Sequence, residues 1–271
     1  MTSRLWDAFK AKSKPVIGML HVPALPGSPQ NKFGFDAIVD GVLRDASALA
    51  DGGVDGFILE NFGDVPFYPD RVPTDTVAFM AVLAREVRGQ LDLPLGVNVL
   101  RNDGESALAI ATAVGAEFIR VNVYTGARLT DQGVIQGIAH RLLRYRKSLG
   151  SDVKILADVD VKHSAPLAAR ELSDEVEETV SRGCADGIIV SGSATGKQTT
   201  LEDLKRATSA ARGTPVLAGS GVDATNVAAA LAVADGLIVG TAFKRDSVTT
   251  NPVDSERVHE FMRAVRSCGG Q

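Results

Sequence analysis

The chain has 271 residues, 45 % apolar and 23 % charged, with 29 basic against 33 acidic side chains for a net charge of −4. This length suits one barrel domain of about 250 residues, and the charge gives no reason to expect nucleic acid or an anionic membrane as partner. Two cysteines, Cys184 and Cys268, make no disulfide framework, residues 1–14 carry charges without an apolar h-region, and no stretch approaches the roughly 18 apolar residues of a membrane span, so a cytoplasmic protein without membrane insertion is expected.

In chain order, a short N-terminal extension (1–14) leads to a first buried strand, Val16–Leu20, and a helix over Phe35–Ala50. Strand two is Gly56–Glu60, with a helix near Thr76–Arg88. Strand three is Leu95–Leu100, and Asp103 caps the helix that ends near Val114. Strand four is Phe118–Val123, with a helix near Gln132–Leu149. Strand five is Lys154–Val159, then Leu172–Ser181. Strand six is Gly187–Ser191, then Leu201–Ala211. Strand seven is Val216–Ala218, then Asn226–Ala234. Strand eight is Leu237–Val239, and Ser255–Arg266 is the last helix.

One phrase recurs at the start of alternate strands: Val54-Asp55, Ala116-Glu117, Ala185-Asp186 and Ala234-Asp235, each followed by an apolar run. Eight strands alternating with helices imply parallel pairing and a closed (β/α)8 barrel of the ribulose-phosphate-binding kind, a single α/β TIM-barrel domain over 1–271. In that fold the chemistry lies at the C-terminal ends of the strands. Two connections there are long and proline-rich, residues 21–34 and 61–75. Loops of that length in a compact domain are usually functional. They fit a lid or a subunit contact, and a homo-oligomer is the expected assembly.

Strand alternation places polar side chains where a barrel interior should be apolar. Asp158 shares a face with Leu156, and Asp160 and Lys162 follow it. Arg120 and Asn122 share a face with Phe118. Asn98 lies between Val97 and Val99, Glu60 closes strand two, and His21 follows strand one. These groups converge on one mouth. Asp158 is the first candidate for general base, with Glu60 or His21 as partner acid. Arg120 and Asn122 are placed to steady an oxyanion, and Lys162 is the candidate Schiff-base amine. The competing structural role is an ion pair of Arg120 with Asp158 or Glu60 that plugs the barrel.

Glycine-rich segments end the last strands: Ser191-Gly192-Ser193, Gly219-Ser220-Gly221 and Gly240-Thr241. Their backbone N–H groups predict a phosphate site. Ser191–Gln198 echoes a P-loop but lacks its leading glycine and its hydroxyl residue after Lys197, which excludes a nucleotide triphosphatase.

The chain resembles the BtpA/SgcQ family of TIM barrels. The resemblance rests on residues 16–29 (VIGMLHVPALPGSP), 61–67 (NFGDVPF), 96–103 (GVNVLRND) and 157–163 (ADVDVKH), and continues through Ser191–Gly196 and Gly219–Gly221. One branch is associated with accumulation of photosystem I proteins in cyanobacteria. Another resembles proteins encoded beside phosphosugar enzymes. The resemblance leaves the substrate open, and the residues and the family together give three expected functions: an isomerase, epimerase or aldolase acting on a small phosphorylated substrate; a non-enzymatic factor for photosystem I protein accumulation or assembly; and a metal-dependent hydrolase using His21, Glu60, Asp158 and His163. No cofactor is expected, and a divalent metal belongs only to the third.

Overall fold

The computed structural model describes residues 9, 14–161, 163–192 and 199–268. The elements run β1 (Val16–His21), α1 (Phe35–Gly52), β2 (Gly56–Glu60), α2 (Thr74–Gln90), β3 (Leu95–Asn98), α3 (Gly104–Val114) and β4 (Phe118–Val121). Then come β5 (Ala127–Thr130), β6 (Gly133–Gln136), α4 (Ala139–Ser148), β7 (Lys154–Val159), β8 (Ser164–Pro166) and α5 (Leu172–Ser181). The chain continues with β9 (Gly187–Val190), α6 (Leu201–Ala210), β10 (Val216–Ala218), α7 (Val227–Val233), β11 (Gly236–Val239) and α8 (Ser255–Cys268). Eight strands close a parallel barrel in the order β1-β11-β10-β9-β7-β4-β3-β2. Among the described residues no helix is long and apolar enough to cross a membrane.

The recurring acid of the sequence is explained at the barrel's N-terminal end. Each one accepts a hydrogen bond from the first or second N–H of the preceding barrel strand. Asp55 takes the N–H of Val16 at 2.9 Å, Glu117 that of Leu95 at 2.8 Å, Asp186 that of Ile155 at 2.9 Å and Asp235 that of Val216 at 2.9 Å. Four carboxylates thus staple four strand pairs and satisfy donors that the ladder leaves over.

Outward residues of the strands pack against the helices in one large core. Inward residues form a second, smaller one: Ile17, Met19, Ile58, Phe118, Leu156, Ile189, Leu217 and Ile238, with Phe9 added from the N-terminal segment. Phe9 is 4 % exposed and its ring lies 6.0 Å from that of Phe118. Beside Phe118 the barrel wall has no side chain. A Cβ on Gly96 would stand 2.2 Å from the phenyl ring, so the strand glycine makes the room that the phenylalanine fills.

Asp103 caps α3 as expected, accepting the N–H of Ser106 at 3.0 Å. The helix expected over Gln132–Leu149 is corrected: α4 starts only at Ala139, and residues 127–136 form a β-hairpin. β5 pairs with β6 across the turn Asp131-Gln132, and β8 adds to β5, giving a three-stranded antiparallel sheet. The buried guanidinium of Arg128 holds this sheet to the barrel. It donates to Ser164 Oγ at 3.0 Å, to Glu175 on α5 at 3.0 Å, and to Asp160.

Candidate active site

The inward face of each barrel strand obeys one rule. Two residues past the last apolar interior residue stands a polar group or a glycine. Met19 is followed by His21, Ile58 by Glu60, Gly96 by Asn98, Leu156 by Asp158, Ile189 by Ser191, Leu217 by Gly219 and Ile238 by Gly240, while β4 carries Arg120 and then Asn122. The result is a belt of polar groups at the C-terminal rim.

The belt bonds to itself. Arg120 meets Asp158 in a two-pronged pair, Nε to Oδ2 at 2.8 Å and Nη2 to Oδ1 at 2.9 Å. Asn122 Nδ2 donates to Asp158 Oδ2 at 3.1 Å, and Ser191 Oγ donates to Oδ1 at 3.0 Å. Asp158 therefore accepts four hydrogen bonds. Burial works against the charge on Arg120, but Asp158 outweighs it and holds the guanidinium above the ordinary arginine range. Asn98 Nδ2 donates to the Arg120 carbonyl and to Asn122 Oδ1, both at 3.1 Å. His21 Nε2 lies 3.8 Å from Glu60 Oε1, and their strands are in register at this pair.

Above the belt is a pocket of 520 Å³. Glu60, His21, Arg120 and Asn122 open onto it, whereas Asn98, Asp158 and Ser191 stand behind these and do not line it. On one side the wall is made by Gly219-Ser220-Gly221 and Gly240-Thr241-Ala242. Gly221 has φ +69°, a left-handed turn that turns the chain toward α7. Gly192 does not line the pocket; its N–H donates to Ser220 Oγ at 2.7 Å and so props up the β10 loop from behind. The β11 loop is anchored from below by Lys244, whose buried ammonium meets Asp45 of α1 at 2.6 Å.

Two arginines at the pocket were not singled out from the sequence. Arg257, on the first turn of α8, lines it beside the β11 loop, donating to the Ala242 carbonyl at 3.0 Å and to Ser247 Oγ at 2.6 Å. Arg101 follows β3 and is 6 % exposed. Burial lowers its pKa, while the nearby carboxylates of Asp131, Asp158 and Glu60 favour its charge. Arg101 sits inside one of the segments that carried the family resemblance, which is the signal that could have found it. Arg257 had none, because it lies on an ordinary amphipathic helix.

Asp160 departs from its expected place. Its φ is +48°, so strand alternation ends one residue early, and its carboxylate faces Arg128 rather than the mouth. Lys162 and the segment 193–198 lie outside the described residues. His163 lines the pocket. Among the described residues no group of three or more His, Cys, Asp or Glu side chains could hold a metal ion.

Both long loops lie at this end. The second contributes Phe62, Val65 and Phe67 to the pocket. The first supports it from outside: Leu25 N–H donates to Asp64 Oδ1 at 2.8 Å, and Gly63 N–H to the Val22 carbonyl at 2.9 Å.

Comparison with known proteins gives three kinds of likeness. The model of the BtpA family matches residues 12–267. A protein of Synechocystis sp. named photosystem I biogenesis protein BtpA is 49 % identical over 96 % of this chain and 91 % of its own length. An uncharacterized protein of Thermococcus kodakarensis is 46 % identical over 93 % of this chain and 95 % of its own. Among solved structures, tryptophan synthase from M. tuberculosis superposes with a TM-score of 0.64 at 18 % identity, covering 98 % of this chain and 100 % of that one. N-(5'-phosphoribosyl)anthranilate isomerase from Pyrococcus furiosus gives 0.57 at 14 %, covering 94 % and 99 %. At such identities the structural likeness speaks for the TIM-barrel fold alone.

Proposed function

The chain belongs to the BtpA family, and on that premise we propose that it is an enzyme acting on a small phosphorylated metabolite, of the phosphosugar isomerase, epimerase or lyase type. One observation carries the reading. A single pocket joins glycine-rich loops and Arg257 on one side to an acid–imidazole pair, buried Glu60 and half-buried His21, on the other. The loops after the seventh and eighth barrel strands are where this fold commonly binds phosphate. Gly221, Gly240 and Thr241 would present backbone N–H groups to the anion, with Arg257 supplying the charge.

With the phosphate so held, the organic part of the substrate lies over the belt. Glu60 is the better base than Asp158. Both oxygens of Asp158 are occupied by Arg120, Asn122 and Ser191, and it does not line the pocket. In this reading Glu60 removes a proton from carbon next to a carbonyl, and Arg120 and Asn122 steady the enolate oxygen. His21 returns or relays the proton. Asp158 acts as a positioning residue that fixes Arg120 and Asn122. A barrel of similar fold is named for a 5'-phosphoribosyl substrate, which supports the phosphate assignment by analogy of fold only.

A thermal-shift screen of sugar phosphates against the parent sugars tests the proposal. Phosphorylated compounds should stabilise the protein by about 2.7 kcal/mol at roughly 100 times their dissociation constant, and Gly221→Asp should abolish the effect. A flat screen in which Gly221→Asp behaves like the parent would overturn it. That outcome would favour the second reading, a non-catalytic factor in photosystem I protein accumulation or assembly, which rests on the name of the Synechocystis relative.

A further inference from the structure

The pocket has two unlike sides. β3 lies diametrically across the barrel from β10, and β2 lies across from β9. β3 thus faces the β10 glycine loop, β2 stands three strands from β10 on the same side of the mouth as β3, and their connections supply Phe62, Val65, Phe67 and Leu100, with Arg101 lining the pocket beside them. Val65 is 41 % exposed, and Phe62 and Phe67 are half-buried. This apolar surface is open yet firmly placed. Asn61 donates to Asp64 at 3.1 Å and to the Leu100 carbonyl at 3.5 Å, while its own Oδ1 takes the Leu100 N–H at 2.7 Å. Asp64 and Gly63 tie the same turn to the first loop. The Phe62 ring rests on His21, with centroids 4.7 Å apart.

A bare phosphosugar fits this side badly. Its hydroxyls need hydrogen-bonding partners once they leave water, and these four side chains offer none. An apolar wall pre-built at the far end of a phosphate pocket instead fits a flat, weakly hydrated ring. Deepening the phosphorylated-metabolite reading and resting on it, we infer that the substrate is a sugar phosphate bearing an aromatic or heteroaromatic ring, the ring seated against Phe62, Val65, Phe67 and Leu100. The phosphate and the ring then occupy separate sides of the barrel mouth. The sugar carbons between them lie over Glu60 and Arg120, where the chemistry is assigned. Arg101 lines the same pocket, available to stack on the ring or to pair with an acid group on it.

Calorimetric titration of the full chain decides the matter. The probes are ribose 5-phosphate and its derivatives carrying a purine, a pyrimidine or a phenyl group at C1. At least one ring-bearing probe should bind about tenfold more tightly than ribose 5-phosphate. Phe62→Ala should bring that probe to within about twofold of ribose 5-phosphate, both measured on the same variant. Val65→Ser, at a position exposed enough to spare the fold, should remove part of the same advantage and serves if Phe62→Ala does not fold. Ring-bearing probes no tighter than ribose 5-phosphate, or an advantage that survives both substitutions, would overturn the inference while leaving the phosphate site standing. Failure of every phosphorylated probe would overturn the phosphate site, and the inference with it.

Discussion

On the proposed reading, chemistry and stability divide between neighbouring residues of the belt. Glu60 faces the pocket, so Glu60→Gln should cost a factor of about 10² to 10⁴ in exchange of substrate carbon-bound hydrogen with D2O, followed by NMR. Asp158 and Arg120 face each other. Arg120→Met would strand a buried carboxylate and should lower stability by about 3–5 kcal/mol, read from urea midpoints. A loss below about 1 kcal/mol would mean that the pair adds little to the fold. Strand alternation alone placed Glu60, Asn98, Arg120, Asn122 and Asp158 at one mouth. It could not say which carboxylate opens onto the pocket, because that depends on side chains from three different strands.

At the scale of the element, the hairpin is the largest difference between sequence and structure. Residues 127–130 alternate as a strand does, but Val134, Ile135 and Ile138 ahead of Leu142 also suit a helical stripe, and the helical reading extended α4 too far toward its N-terminus. Arg128 fastens the hairpin, so Arg128→Gln should expose the Asp131-Gln132 turn to limited proteolysis while leaving the barrel intact. Equal cutting of both proteins would show that strand pairing alone holds the sheet.

The connection after β4 also holds a buried phenol. Tyr124 donates its hydroxyl to the Gly183 carbonyl at 2.6 Å, and burial, the dominant cause, raises its pKa above the ordinary value. The fold thus favours the protonated form. Its contribution is complete below the unfolded pKa of about 10 and is lost as pH rises beyond it. Urea midpoints should therefore fall between about pH 9 and pH 11.5 more steeply for the parent than for Tyr124→Phe. Parallel curves would count against this assignment.

For the whole molecule, the barrel was legible because its period is redundant. Four copies of one phrase and eight apolar runs leave few other topologies. The role of the repeated acid was not legible, since its partner N–H lies one barrel strand back in the chain. Asp235→Ala should leave Val216 N–H without its partner and cost about 1–3 kcal/mol. Because this staple sits at the end away from the pocket, affinity for phosphate should not change; a weakened phosphate site would show that the two ends are coupled.

Gly96 and Phe118 share one volume inside the barrel, so each residue limits what evolution can write at the other. In a mutational library Gly96→Ala should be depleted, because overfilling a packed core costs about 1–3 kcal/mol. The same alanine should be tolerated in a background of Phe118→Leu. Lineages that trade the ring for a smaller side chain would then hold a differently shaped interior beneath an unchanged rim.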